Sequence, residues 1–89
     1  MSITAIIALK VEDYGKFEAS FAQRASARVA AGIEVKAYRD MDDAGKVVVI
    51  GTVPSKEAFV AFMTSPEQQQ AMQNATIQGP PDVTFLEGW

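Results

Sequence analysis

The sequence contains neither cysteine nor histidine. Without cysteine there are no disulfides and no thiol nucleophiles. Without either residue type, the familiar Cys/His zinc sites and the Ser-His-Asp triad are excluded as well. Any chemistry must therefore come from carboxylates, Lys, Arg, Tyr, hydroxyl groups, the backbone or a cofactor that is brought in; we expect no metal site and no cofactor.

Concentrated positive charge is also missing. The eight Lys and Arg residues are outnumbered by eleven Asp and Glu residues, which gives a formal net charge of −3 at pH 7. The basic residues form no cluster along the chain. Because nucleic acids and anionic membrane surfaces are bound by concentrated positive charge, we expect neither as a partner.

Long apolar runs are absent too, since the longest is far below the roughly 20 residues that span a bilayer. The N-terminus lacks the basic stretch and the small-residue cleavage site of a signal peptide. We therefore expect a cytoplasmic protein. Its 89 residues, of which 48% are hydrophobic and 21% charged, predict one folded domain over residues 1–89.

Four segments have the composition of β-strands: residues 3–11, 33–40, 46–53 and 83–86. An Asp- and Gly-containing turn, residues 41–45, joins the second and third strands into a hairpin. A calcium loop is the alternative for this turn, but Ala44 and Gly51 stand where that loop needs a polar ligand and a glutamate. The Gly-Pro-Pro sequence of residues 79–81 predicts an extended connection before the last strand.

Three N-cap residues predict where helices begin. Asp13 precedes a long helical pattern that ends at Gly32, while Ser55 and Ser65 precede two further helices. Residues 68–70, three glutamines in the last helix, are predicted to be solvated. The resulting order, β-α-β-β-α-β, predicts a ferredoxin-like α+β fold with a four-stranded antiparallel sheet and helices on one face.

The predicted strands are apolar on both faces. In the first strand Ile7 and Leu9 share one face while Ile6 and Ala8 share the other, and the valine-rich third strand repeats this pattern. Helices on one side leave the second face uncovered. We therefore expect a homodimer through sheet-to-sheet packing, with an apolar ligand groove as the alternative. Gly51 in the third strand indicates a bulge or a close backbone approach, and would make room for a ligand or for the partner's sheet.

Several segments resemble one family, in order and over nearly the whole chain. They are residues 11–14 (Val-Glu-Asp-Tyr), 28–33 (Arg-Val-Ala-Ala-Gly-Ile), 38–43 (Tyr-Arg-Asp-Met-Asp-Asp), 65–67 (Ser-Pro-Glu) and 79–86 (Gly-Pro-Pro-Asp-Val-Thr-Phe-Leu). The pattern is similar to that of the small antibiotic-biosynthesis-monooxygenase-like proteins of the dimeric α+β barrel superfamily. The resemblance implies a homodimer and a cavity between sheet and helices in each subunit. Such proteins include cofactor-free oxygenases, haem-degrading enzymes, isomerases and cyclases, so the resemblance implies the fold better than the reaction.

One departure from this family lies in the middle of the first helix. Close members often have a histidine there, where this chain has residues 21–24, Phe-Ala-Gln-Arg. The resemblance therefore implies neither haem degradation nor histidine-dependent proton transfer for this chain.

Helical spacing brings together a candidate ligand site. If a cavity is present, we expect its helical walls to be formed by Phe17, Phe21, Arg24, Arg28, Phe59, Phe62, Met63 and Met72. The apolar members of this set either line a pocket or fill the core. Arg24 and Arg28, one helical turn apart, either hold a carboxylate or enolate at the cavity mouth or lie solvated over apolar surface.

The end of the second strand carries the candidate catalytic residues, Tyr38 and Arg39. Either side chain would orient a substrate oxygen or bind an anion derived from dioxygen, and an Arg39 ion pair across the hairpin or the dimer interface is the structural alternative. Trp89, the last residue, is expected to pack on the partner subunit or over the cavity.

Two functions remain open from the sequence. The first is binding or conversion of a small apolar or aromatic, polyketide-like molecule in the sheet–helix cavity, with cofactor-independent monooxygenase-like chemistry or a cyclase- or isomerase-like activity. The second is a non-catalytic dimeric module with a filled core and a regulatory or stress-response role. The first needs an open pocket with a converging Tyr, Arg or carboxylate, whereas the second needs Phe and Met side chains that fill it.

Overall fold

Four strands and four helices make up the computed structural model, which describes residues 3–87. They are β1 (Ile3–Val11), α1 (Tyr14–Gln23), α2 (Ala25–Ala30), β2 (Glu34–Arg39), β3 (Lys46–Val53), α3 (Lys56–Met63), α4 (Pro66–Asn74) and β4 (Ile77–Glu87). The strands form one antiparallel sheet in the order β2-β3-β1-β4. This confirms the predicted ferredoxin-like α+β fold. The expectation for Trp89 falls outside the described residues.

The three predicted N-caps begin helices as expected. The Asp13 carboxylate accepts a hydrogen bond from the backbone N–H of Lys16 at 3.1 Å. The hydroxyl groups of Ser55 and Ser65 accept equivalent bonds at the starts of α3 and α4, at 3.0 and 3.3 Å. Each cap satisfies a backbone donor that the first helical turn leaves without a partner. The caps therefore fix where three of the helices begin.

The first helix is interrupted, although the sequence predicts one continuous helix up to Gly32. Arg24 separates α1 from α2. The Phe21 carbonyl oxygen accepts from the Arg24 N–H at 3.2 Å and from the Arg28 guanidinium at 2.8 Å. Two donors thus occupy the oxygen that a continuous helix would offer to the N–H of Ala25. The Arg28 side chain of α2 thus folds back onto the last turn of α1, at the point where the helix is interrupted.

The last strand is longer than predicted, because β4 begins at Ile77 and includes residues 79–81. These three residues belong to the strand rather than to a connection before it, and Gly79 departs from the expected extended conformation. An edge strand tolerates proline because one side of its backbone has no ladder to complete. The register with β1 shifts between Ala8 and Lys10, and Gly79 adopts a φ of 74° beside this bulge.

The turn between β2 and β3 is held by its own carboxylates. Oδ1 of Asp40 accepts from the N–H groups of Asp42 and Asp43 at 2.8 and 3.0 Å, and Asp43 accepts from the Gly45 N–H at 3.0 Å. These bonds are typical of Asx turns. Within residues 3–87, no three His, Cys, Asp or Glu side chains are grouped as metal ligands. The hairpin interpretation of this segment therefore holds, and the calcium loop does not.

Gly51 lies where β2 and β3 come closest. It pairs with Val35 of β2 and Ala5 of β1. A Cβ atom at this position would collide with the Glu34 carbonyl oxygen and the Val35 Cα, and would lie 2.7 Å from Cγ1 of Val35. The close approach predicted at Gly51 is therefore made by the neighbouring strand of the same chain.

The two faces of the sheet have different neighbours. The helix-facing side is the buried core, which consists of Ala5, Ile7, Leu9, Val11, Ile33, Val47, Val49 and Val53 together with Phe17, Phe59 and Ala75. On the other side, Ile6 pairs with Ile50 and Ala8 pairs with Val48. Ile50 is 39% exposed and Leu86, on the same side, is 45% exposed. We call these five residues the open sheet face; they confirm that the strands are apolar on both sides.

None of the helices within residues 3–87 is long and apolar enough to cross a membrane.

Candidate functional site

A cavity of about 80 Å³ lies between the sheet and all four helices. All four strands contribute to its sheet side, with Ile7 and Leu9 from β1, Val35 from β2, Val49 from β3 and Ile77 from β4. Its helical side is formed mainly by aromatic and methionine side chains. All eight residues that the sequence predicts as ligand-binding lie along this cavity. The structure thus brings the predicted set together around one space, while their binding of a ligand stays a prediction.

Four polar side chains interrupt the apolar lining: Ser20, Arg24, Arg28 and Gln68. None of the lining residues is a carboxylate, a tyrosine or a lysine. The cavity therefore combines an apolar interior with charge of a single sign.

Arg24 reaches the cavity from the break between α1 and α2. Its Nε donates a hydrogen bond to Oε1 of Gln68 on α4 at 2.9 Å. Its guanidinium carbon lies 5.3 Å from the centre of the Phe62 ring on α3. The side chain is held between two helices, so its guanidinium has a defined position at the cavity.

Arg28 is held more tightly, against the helix that precedes it. Its Nη1 donates to the Phe21 carbonyl at 2.8 Å, and its guanidinium carbon lies 3.7 Å from the centre of the Phe21 ring. Burial, and secondly the positive charge of Arg24, lower the pKa of the Arg28 guanidinium below its ordinary value. A guanidinium nevertheless stays protonated at neutral pH. Arg28 thus carries a partly desolvated positive charge, which the positive charge of Arg24 repels.

Neither arginine has an anionic partner among the described residues. Within residues 3–87 the ion pair that forms joins Lys10 to Asp43 at 3.9 Å, on the surface and far along the chain from both arginines. The positive charge at the cavity is therefore balanced only by neutral acceptors and by the faces of aromatic rings.

Sequence reasoning missed two polar residues of the cavity. Ser20 was not singled out, and Gln68 was predicted to be solvated; the structure places both along the cavity. Ser20 donates its hydroxyl proton to the Ala71 carbonyl at 2.7 Å, and no base lies beside it in the cavity lining, so it is not an activated nucleophile. Helical spacing could have found Ser20, because it lies four residues before Arg24.

The candidate catalytic residues lie away from the cavity. Tyr38 is 50% exposed and pairs with Val48, beside the open sheet face. Arg39 is exposed; its Nε donates to the Ala44 carbonyl at 3.3 Å and its guanidinium lies 4.5 Å from the centre of the Tyr14 ring. The structure therefore does not bring Tyr38 or Arg39 to the other predicted site residues, and their catalytic role stays a prediction.

A second apolar hollow of about 250 Å³ adjoins the cavity, between α3, α4 and β4. Phe59, Met63 and Met72 line both spaces, so they form the wall between them. Methionine has three rotatable bonds and adapts its shape easily. The wall that limits the cavity on this side is accordingly made largely of the side chains best able to move.

The comparisons with known proteins agree with this architecture. No protein-family model and no curated protein matches the chain. Among solved structures, a candidate antibiotic biosynthesis monooxygenase from Bordetella bronchiseptica superposes with a TM-score of 0.82 and 20% identity, over 99% of this chain and 97% of that one. One from Caulobacter crescentus gives 0.80 and 21% identity, over 99% and 90%.

A third solved structure comes from a protein of stated activity. SnoaB, a cofactor-independent oxygenase from Streptomyces nogalater, superposes with a TM-score of 0.78 and 16% identity, over 99% of this chain and 93% of that one. At such identities a structural likeness is evidence for the fold alone. The chain therefore has the fold of the antibiotic-biosynthesis-monooxygenase-like proteins, as its resemblance to them implies.

Proposed function

We propose that this protein binds a small apolar or aromatic molecule in the sheet–helix cavity and converts it, without a bound cofactor, in a monooxygenase-like reaction. The observation that carries the proposal is the cavity itself, an apolar space on which two guanidinium groups converge. A module with a filled core would have Phe and Met side chains in this place. The likeness to a cofactor-independent oxygenase supports the type of reaction.

The groups along the cavity suit a reaction in which the substrate supplies the electrons. A CH₂ group beside a carbonyl or an aromatic ring loses a proton, and the resulting carbanion reduces O₂. One oxygen atom stays in the product as a carbonyl and the other leaves as water. The lining holds no carboxylate, tyrosine or lysine as a base, so the proton passes to solvent. Arg24 and Arg28 stabilise the negative charge that develops.

A cavity-filling variant tests this proposal. Ala71 lines the cavity, so Ala71→Leu places additional side-chain volume into it. The matched control is Ala19→Leu, an exposed position on α1. Oxygen uptake and product formation are measured with a panel of aromatic ketones that carry an acidic CH₂ group, from one ring to three. We expect turnover in the wild type and in the control, and its loss in Ala71→Leu. Turnover that survives in Ala71→Leu would place the reaction elsewhere.

We also propose that two copies form a homodimer through the open sheet face. The centre of this face is apolar, with Ile6 opposite Ile50, and lacks a cover within residues 3–87. We expect Ile50→Asp to convert the dimer into monomers in analytical ultracentrifugation. Val29→Asp, at a 74% exposed position on α2, is the matched control and should remain dimeric. A monomeric wild type, or a dimer that Ile50→Asp leaves unchanged, would contradict this interface.

Tyr38 enters the proposal through that dimer, because its position beside the open sheet face would bring it near the partner subunit. Tyr38→Phe and Arg39→Ala are measured in the same oxygen-uptake assay. A fall in turnover with the dimer intact would support a catalytic role for either residue. We further propose the cytoplasm as the location, which fractionation of cells that express the protein would test.

A further inference from the structure

We propose that the molecule bound in the cavity is a small amphiphilic monoanion. Its carboxylate, enolate or phenolate oxygen lies between Arg24 and Arg28, and its apolar body points toward the sheet. This inference rests on the proposed function, since it names the class of molecule that the same cavity takes.

The charge distribution is the first argument. Arg24 and Arg28 lie one helical turn apart along a cavity whose lining contains no carboxylate. Each of them sits at a partly buried position. Two like charges at such a spacing repel each other, and partial burial removes some of the water that would screen them. An anion between the two guanidinium groups removes the repulsion and replaces the lost solvation.

The orientation of the guanidinium groups is the second argument. Arg24 uses its Nε on Gln68, which leaves its two terminal nitrogens to donate. Arg28 uses Nη1 on the Phe21 carbonyl, which leaves Nε and Nη2. A guanidinium has five N–H donors in a fixed plane, so each arginine retains a pair of neighbouring nitrogens that suits the two oxygens of a carboxylate. Because the protein already holds both side chains, little conformational entropy is lost on binding.

The size of the cavity limits the apolar body. Its volume of about 80 Å³ is roughly half of the ~150 Å³ cavity that encloses a benzene molecule. A short aliphatic chain fits without rearrangement. A single aromatic ring fits when Met63 and Met72 move toward the adjoining hollow. We therefore expect acids with a short chain or one ring to bind better than those with several fused rings.

Pairs of probes that differ only in charge test the inference. The pairs are butyrate with butyramide and phenylacetate with phenylacetamide, titrated at neutral pH into the isotopically labelled protein and followed by NMR chemical shifts. A ligand of about ten non-hydrogen atoms binds in the millimolar range, which this method measures. We expect each acid to bind about tenfold more tightly than its amide, equivalent to 1.4 kcal/mol.

Three charge-removing variants locate the effect. Arg24→Met and Arg28→Met should reduce the affinity for each acid to about that of its amide, and should leave the affinity for the amide within about twofold. Lys16→Met removes the same charge from an exposed position on α1 and should change neither. Arg28→Lys keeps the charge without the planar fork, and should restore part of the preference for the acid. Thermal unfolding shows that each variant is folded.

The outcomes separate this inference from the function on which it rests. If an acid and its amide bind equally well, and Ala71→Leu abolishes the binding of both, the cavity binds neutral molecules; the inference fails and the proposed function stands. If the preference for the acid persists in both arginine variants, the anion lies elsewhere and the inference also fails. If no probe binds the folded wild type, the proposed function and the inference fail together.

Discussion

A methyl group added at Gly51 should destabilise this fold more than its size suggests. In Gly51→Ala the new Cβ meets the Glu34 carbonyl oxygen and the Val35 Cα, which are backbone atoms and cannot rotate away. The strand β2 must therefore move from β3, and Val35 is part of the cavity wall. Overpacking that forces side chains off their rotamers and shifts the backbone costs about 1–3 kcal/mol, and occasionally more. Because backbone atoms block the new Cβ here, we expect a loss at the upper end of this range, about 3 kcal/mol.

That loss is large for a chain of this length. At roughly 0.05–0.15 kcal/mol per residue, the 89 residues would have a free energy of unfolding of about 4–13 kcal/mol. A loss of about 3 kcal/mol lowers Tm by about 12–24 °C in a domain of this size. Urea denaturation followed by circular dichroism measures the free energy, and calorimetry measures the Tm.

Two further variants separate the stated cause from others. Gly15→Ala makes the same chemical change on α1, where the nearest atom is a side-chain atom, the Oδ1 of the Asp13 N-cap at 3.2 Å, which needs to give by only a few tenths of an ångström. Its stability should change by less than about 1 kcal/mol, since alanine also favours the helix. Adding Val35→Ala to Gly51→Ala removes the side-chain contact at 2.7 Å but not the backbone contacts, so stability should not recover. A Gly51→Ala protein as stable as the wild type would refute this reasoning.

Three other predictions concern the cavity, the hairpin and the start of β4. Met72→Ala should merge the cavity with the adjoining hollow and so improve the binding of two-ring acids in the NMR titration. It should also lower the free energy of unfolding by about 2 kcal/mol. Met41 is fully exposed, so Met41→Ala should change neither the binding nor the stability. Backbone N–H groups of the turn lower the pKa of the Asp40 carboxyl. The ionised carboxylate therefore contributes fully to the stability of the fold above its ordinary pKa, and this contribution is lost as the pH falls through the lowered pKa. Acid titration of stability should therefore show a steeper decline in the wild type than in Asp40→Asn. Thr76 has a φ of 59°, and its hydroxyl group accepts a hydrogen bond from the Asp13 N–H at 2.9 Å. Asparagine tolerates a positive φ and keeps an acceptor, so Thr76→Asn should be at least as stable as Thr76→Ala in urea denaturation.

The parts of the fold that could be predicted from the sequence depend on neighbours in the chain. An N-cap such as Ser65 bonds an amide three residues ahead, so the residue type and its position suffice to find it. The alternation along β1 likewise follows from the period of a strand, whichever face the helices cover. The cavity-lining set was found in the same way, because Phe17, Phe21 and Arg28 recur at helical spacing on one side.

The features that escaped sequence reasoning depend on contacts between distant segments. The neighbours of Gln68 in the sequence predict a solvated side chain. The fold places it instead beside Arg24, which lies 44 residues earlier in the chain. The helix break needs the Arg28 guanidinium to bind a carbonyl of the preceding helix. The prolines of β4 suggest a connection, and only the position of β4 at the edge of the sheet allows them inside a strand.

The stability of so small a domain bears on why the cavity is there. An apolar space of about 80 Å³ that side chains leave unfilled costs stability, because its walls lose the contacts that larger side chains would make. The partly desolvated charge of Arg28 adds to that cost, since burial and the charge of Arg24 both disfavour its protonated form. Larger side chains at Ala71 and Ala75, which line the space, would reduce the first cost, and a neutral residue at Arg28 would remove the second. Both costs are offset when an anion with an apolar body is bound, because a ligand at 100 times its Kd adds about 2.7 kcal/mol to stability. Features that destabilise the fold of the empty protein, and whose cost is offset when a ligand is bound, are typical of a binding site.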